Sequence, residues 1–223
     1  MSILSNLELI RRIPLFAALT PTQATFVADA VEKRRYRKGD VIVEQGKKSD
    51  FLAILLTGRA RVVTADEKGR EVILATLQAG DHLGEMSLID NQPHSATVRA
   101  DVQTDVLLLG RPEFVRCLPE NNALAFAIMK GLVKRLRAAD RKIESLALMD
   151  VYGRVARALL DLASPLNPGT GVIAGKVSRL ELAKTIGASR EMVSRVLKDL
   201  EDRGLVEVLT DGRTLVHDAL LRP

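Results

Sequence analysis

The stretch Val177 to Val208 (VSRLELAKTIGASREMVSRVLKDLEDRGLVEV) leaves this chain the fewest options. Leu180, Leu182, Ala183 and Ile186 recur at helical spacing behind Ser178, a side chain suited to an N-cap. Gly187 interrupts the pattern, and Ala188 and Ser189 complete a short turn. A second helical run succeeds it. Its expected inward stripe is Met192, Val193, Val196, Leu197 and Leu200, opposite a face of Arg190, Glu191, Ser194, Arg195 and Lys198. Two short helices joined by a tight glycine turn, the second polar outside, fit a helix-turn-helix that lays its second helix in the DNA major groove. An ordinary helical hairpin with a solvated face fits the same geometry. The residues beyond the second helix favour the first reading. Apolar runs at 205–209 and 214–217 flank Thr210-Asp211-Gly212-Arg213, and Asp-Gly between apolar runs marks a hairpin. That hairpin makes the element winged, and a wing can touch backbone phosphates.

Earlier in the chain, residues 3–12 and 20–32 read as short amphipathic helices, with Thr20-Pro21 supplying an N-cap and a first-turn proline. From Arg34 to Gly110 the segments are short, rich in Val, Ile and Leu, and separated by glycine turns at Gly39, Gly58, Gly69 and Gly80. Such spacing predicts a small antiparallel barrel or jelly roll. The repeated Gly-Asp before an apolar segment reads as a structural turn. After Pro112 a long helix is expected, from about Asn122 to Asp150, with Met129, Leu132, Leu136, Ala139, Ile143 and Leu146 spaced by three and four as in a two-stranded coiled coil. Packing on the barrel is the other use such a stripe could serve. Tyr152–Leu162 is a further amphipathic helix, and SPLNPGTG, poor in apolar residues, reads as a surface loop.

The expected fold is therefore α+β: an antiparallel, jelly-roll-like β-roll with flanking helices over residues 1–121, a dimerisation helix and hinge over 122–149, and a winged helix-turn-helix over 150–223. The net charge of +5 admits an anionic partner without demanding one. No run of eighteen apolar residues is present, so no membrane span is expected, and the N-terminus lacks the features of a signal peptide. One cysteine, Cys117, fits a reducing cytoplasm and reads as a buried structural thiol. His82 and His217 stand alone, without companions at metal-ligand spacing. No Ser–His–acid, paired-carboxylate or metal arrangement suggests an enzyme.

This order of parts resembles the Crp/Fnr family of bacterial transcription regulators. GDHLGEMSLIDNQPHSATVRA in the barrel and SRLELAKTIGASREMVSRVLKDLEDRGLV near the end carry the resemblance, and SLALMDVYGRVARALLDLA resembles the family's hinge and following helix. It implies a homodimer bound to a TGTGA-like palindrome on double-stranded DNA, with RNA polymerase as a further partner. By resemblance Arg190 would donate to a guanine edge, Glu191 accept from a cytosine amino group and Arg195 read a neighbouring base, all established pairings of side chain and base edge. Ser189 and Arg179 are assigned to phosphates. Ser194 stands where relatives often carry a small residue, and Lys198 shares the exposed face. For Glu191, pairing with Arg190 or Arg195 along the helix is the alternative.

The cAMP-binding members carry a phosphate cassette that this chain matches only in part. Gly84, Glu85 and Ser95 match, implying backbone approach to a phosphate and a carboxylate for a ribose hydroxyl. The arginine before Ser95 is replaced by His94, and the purine-binding hydroxyls of the long helix are replaced by Ala139 and Asp140. Three readings stay open. One is cAMP, against both departures. Another is a guanine nucleotide, cyclic di-GMP or cGMP, with Asp140 accepting N1–H and N2–H of guanine and Arg99, Arg135, Arg137 or Arg141 supplying phosphate contacts. The last is another effector or none, with His94 and Glu85 as plain surface residues and Asp140 paired to Arg137 or Arg141.

Overall fold

The computed structural model describes residues 5–17, 19–117 and 122–221. It confirms the α+β reading. Helix α1 (Asn6–Arg12) and helix α2 (Pro21–Ala30) both begin with a capping box, Ser5 with Glu8 and Thr20 with Gln23. In each, two backbone donors that the first turn leaves unpaired are satisfied reciprocally. Residues 1–4, where the first helix was expected to start, lie outside the described residues. Helix α2 stops at Ala30, because Glu32 already belongs to a strand.

Eight strands come next: β1 (Glu32–Tyr36), β2 (Val41–Val43), β3 (Phe51–Thr57), β4 (Arg59–Ala65), β5 (Glu71–Gln78), β6 (His82–Leu83), β7 (Thr97–Ala100) and β8 (Thr104–Gly110), with the short helix α3 (Glu85–Asp90) between β6 and β7. They form two antiparallel sheets, ordered β1-β8-β3-β6 and β2-β7-β4-β5. The unbroken apolar runs of β3 and β8 are explained by what lies on each side of them. Ala53, Leu55, Val106 and Leu108 point between the two sheets, where they meet Ile42, Ala60, Leu77 and Val98. Leu52, Ile54, Leu107 and Leu109 point the other way, into a second core with Ile10, Phe16, Val27, Phe114, Leu124 and Ile128. A strand buried on both faces loses its polar alternation, and each fully buried Leu or Ile contributes about 1.5–3 kcal/mol.

The Gly-Asp turns are structural, as expected. Gly39 and Gly80 sit at φ +92° and +90°. The adjoining Asp40 and Asp81 accept the backbone N–H of Arg37 and Gln78 at 2.7 and 2.8 Å. Glycine removes the left-handed penalty while the carboxylate satisfies a donor at the turn.

Helix α4 (Arg111–Cys117) precedes the long helix α5 (Asn122–Leu148), and the side chain of Cys117 lies outside the described residues. The chain divides into two compact units, Met1–Leu136 and Arg137–Pro223. The second contains α6 (Val151–Leu162), α7 (Arg179–Ile186) and α8 (Arg190–Asp202) around a core of Val155, Leu159, Leu182, Ile186, Val193, Leu197 and Leu200. The stretch expected as a surface loop is instead a hairpin, β9 (Ser164–Asn167) and β10 (Thr170–Ile173), turned at Gly169 with φ +83°. It joins β11 (Val206–Val208) and β12 (Thr214–His217) in the order β11-β12-β10-β9. All four residues of β9 are exposed, so no apolar alternation marked it, and Pro165 is tolerated because this is an edge strand.

Candidate functional site

Two constellations stand out, one in each unit. In the second, Ser178 caps α7 by accepting the N–H of Glu181 at 3.3 Å. Gly187 ends α7 in the left-handed region at φ +66°, and Ser189 opens α8 by accepting the N–H of Met192 at 3.2 Å. The turn is thus specified on both sides by residues chosen for backbone reasons. Val193, Leu197 and Leu200 of α8 are buried and Val196 is partly so. Met192 departs from the expected inward stripe: it is 42% exposed, because position 192 lies at the flank of the buried arc. Leu180 of α7 is likewise 51% exposed.

Arg190, Glu191, Arg195 and Lys198 project from the exposed side of α8, and Arg179 is exposed at the first position of α7. Glu191 forms no ion pair with Arg190 or Arg195 among the described residues, so the alternative role considered for it is not taken up. Ser194 is half-buried and donates its hydroxyl to the Arg190 carbonyl at 2.8 Å, which leaves its oxygen able only to accept. Ser189 has the opposite disposition: its oxygen is engaged by the helix and its O–H can donate to an anion. Two contacts from α6 hold the assembly. Arg154 donates to the Ile186 carbonyl at 2.9 Å, and Tyr152 receives Arg203 at 2.6 Å with the guanidinium 5.8 Å from its ring.

The other constellation surrounds Glu85 in the β-roll. Gly84, before α3, has φ +90°, and a Cβ there would lie 2.7 Å from the Phe51 carbonyl oxygen. Only glycine fits. Glu85 is 1% exposed and His94 is 9% exposed, which corrects the reading of both as surface residues. For His94 the cause is the folding of two loops onto each other: its N–H donates to the Lys47 carbonyl and the Gly46 N–H to the His94 carbonyl, each at 2.9 Å. The His94 ring is hydrogen-bonded to Ser49 Oγ at 2.8 Å, and burial holds its pKa below the ordinary histidine value against the opposing pull of Glu85.

Arg135 of α5 donates to Glu85 Oε1 at 2.6 Å and also to the carbonyl oxygen of His82. Glu85 Oε2 is buried without a partner among the described residues. A buried carboxylate with one oxygen committed to a guanidinium and the other free is an acceptor waiting for a donor, since an unpaired buried acceptor is otherwise costly. Ser95 is exposed beside His94. Arg99 points away from the buried face of β7 and pairs with Glu71 at 3.2 Å. That pairing engages its guanidinium on the outer side of the strand. Asp140 is exposed and forms no ion pair with Arg137 or Arg141 among the described residues, so that alternative is also set aside.

Residues 33–121 match the cyclic nucleotide-binding domain, and residues 153–220 match the Crp-like helix-turn-helix domain. Over 190 residues the chain is 36% identical to the cAMP-activated global transcriptional regulator Vfr of Pseudomonas aeruginosa, covering 82% of this chain and 88% of Vfr. It belongs to the Crp/Fnr family of transcription regulators. The cyclic AMP receptor protein of Thermus thermophilus is 34% identical over 93% of this chain and 94% of its own length. Among solved structures, the cyclic di-GMP responsive regulator CLP of Xanthomonas campestris superposes with a TM-score of 0.76 at 27% identity, covering 89% of this chain and 99% of that one.

As a Crp/Fnr regulator this chain is DNA-binding, and its roll is a cyclic nucleotide-binding domain. Sequence reasoning named Glu85, His94 and the α8 residues, but it did not pair Arg135 with Glu85. Those residues lie fifty positions apart, and only the packing of α5 on the roll joins them. Ser49 was missed for the same reason. His82 was set aside as isolated, and the packing shows it to be buried under α5.

Proposed function

We propose that this protein works as a homodimer reading a TGTGA-like palindrome, and that a cyclic nucleotide held in the roll sets its affinity for that site. Arg190 and Arg195 donate to base edges, Glu191 accepts from cytosine, and Ser194 contributes an acceptor. Arg179, Ser189 and Lys198 contact phosphates. RNA polymerase is the partner at the promoter, by family resemblance. Support for the dimer comes from α5, where Met129, Leu136, Ile143 and Leu146 are 53, 61, 64 and 57% exposed at heptad spacing. An apolar stripe of that regularity is stabilised by a second copy.

The half-satisfied carboxylate of Glu85 carries the effector reading, because a ribose hydroxyl supplies the donor that Oε2 lacks. Gly84, His94 and Ser95 line the same cassette. A guanine cyclic nucleotide, cyclic di-GMP or cGMP, is the preferred ligand, with Asp140 forming no ion pair among the described residues and able to accept both N1–H and N2–H of guanine. The match to CLP, a cyclic di-GMP responsive protein, supports this reading. cAMP is the second reading, favoured by the likeness to cAMP-activated Vfr. Calorimetric titration with cAMP, cGMP and cyclic di-GMP in parallel, then palindrome binding with and without each, tests the proposal. Binding of a guanine ligand that Asp140→Ala weakens is the expected result. Unchanged affinity in that variant overturns the guanine contact, and no binding by any of the three overturns the effector reading.

A further inference from the structure

His82 contributes neither to the DNA-reading face nor to the ligand cassette, yet its surroundings are unusual. The ring is 7% exposed and its Nε2 has no hydrogen-bond partner among the described residues. The ring edge lies against the backbone of α5: a Cβ at Gly131 would stand 2.8 Å from His82 Cε1 and 3.2 Å from Nε2. One turn further along α5, Arg135 donates to the His82 carbonyl while holding Glu85. One residue thus touches α5 at two successive turns, through its ring and through its backbone, beside the buried carboxylate of the effector pocket.

We infer that His82 is a positioning residue for the effector pocket, seating Arg135 on Glu85 in its neutral form and releasing that pair when protonated. The inference rests on the reading of the roll as a nucleotide site. The charged groups facing His82 are Glu85 from α3, Arg135 from α5 and Asp81 from the turn before β6; β3 presents only Ala53 and Ile54 to β6. A neutral ring with an idle nitrogen against Gly131 leaves Arg135 undisturbed. A protonated ring carries an N–H there with no acceptor and places a second cation beside the guanidinium. Of the two acids that act on the ring Glu85 has the stronger pull, and its free oxygen is the atom offered to the ligand. Protonation therefore competes with Arg135 for the carboxylate and with the ligand for its acceptor. Burial, the largest influence, and Arg135 both lower the ring's pKa from 6.5 while Glu85 and Asp81 raise it, so the change falls on the acid side of neutrality.

The test uses the full-length protein and His82→Phe, with His82→Gln as a second uncharged variant. Affinities for cAMP, cGMP and cyclic di-GMP are measured by calorimetry at about pH 7.5 and about pH 5.5, on either side of the ordinary histidine value. The wild type is expected to bind its nucleotide a few-fold more weakly at the lower pH, since a one-unit displacement of the histidine's pKa gives the full, roughly tenfold, loss only below both its free and its bound values. Both variants are expected to lose most of that dependence. An unchanged wild-type affinity, or the same drop in all three proteins, overturns the inference; the second result assigns the titration to another group such as His94. If no nucleotide binds at either pH, the effector reading fails by itself. Amide exchange in the ligand-free protein then decides the matter, with protection of residues 128–136, corrected for intrinsic rates, falling on acidification in the wild type and not in the variants. Equal protection across the pH range overturns the role of His82.

Discussion

Arg154 reaches from α6 to the end of α7 and donates to the carbonyl oxygen of Ile186, 2.9 Å away. The last carbonyls of a helix have no partner within it, and a cation there also complements the helix dipole. This bond therefore fixes where α7 ends and Gly187 begins, which in turn sets the start of α8. Replacing Arg154 by Met should destabilise the helix-turn-helix by about 1.5–3 kcal/mol, the range for a hydrogen bond to a charged group. Urea unfolding monitored by a probe in residues 150–221 reads this directly. An unchanged midpoint would mean the bond contributes nothing in solution.

Arg190→Ala should weaken binding to the palindrome by about 1–3 kcal/mol and leave binding to unrelated duplex nearly unchanged. Fluorescence anisotropy on both DNAs at one salt concentration makes the comparison. Equal losses on the two would assign Arg190 to phosphate and remove it from base reading.

Ile143→Glu places a charge in the exposed apolar stripe of α5. The wild type should sediment as the proposed dimer and the variant as a monomer, and the variant's palindrome affinity should fall because two recognition helices no longer bind as a unit. A variant that remains dimeric would move the interface elsewhere.

Gly84→Ala forces a side chain into a left-handed backbone with the Phe51 carbonyl 2.7 Å from the new atom. The backbone conformation alone costs about 1–2 kcal/mol. Thermal unfolding of the roll should register at least that loss, and wild-type stability in the variant would show that the β6–α3 junction relaxes.

Acid should act on stability in two separate windows. His82 and His94 are held below 6.5 chiefly by burial, so below that pH the unfolded chain binds more protons than the native one, and stability falls as pH drops toward the native values. Asp105 is held below 3.8, first by its hydrogen bond to Arg35, and its contribution, fully present above that value, is lost only as pH falls toward its native pKa. Urea midpoints from neutral pH downward should show the first decline near pH 6, reduced in His82→Phe. Asp105→Asn should leave the first decline intact and diminish the second. A single decline confined to the lower window would show that the histidines titrate normally.

The sequence alone determined the parts with local causes. Thr20-Pro21, Ser178, Gly187 and Ser189 specify helix ends because capping is chemistry among neighbours. The Gly-Asp turns and the Asp211-Gly212 wing turn are likewise local, as is the division of α8 into an apolar and a charged face. These also carried the family resemblance and hence the DNA-reading assignment. Periodicity misplaced Met192, which flanks the buried arc, and it overlooked the hairpin of β9 and β10, in which β9 has no apolar pattern of its own and the pairing of β10 with β12 joins both to the sheet. Tertiary structure alone decided the pocket. Burial of Glu85 and His94, the seating of Arg135 on Glu85, the Ser49–His94 bond and the lodging of His82 against Gly131 all join residues distant in the chain. Their chemistry depends on dehydration and on distances that no spacing in the sequence encodes.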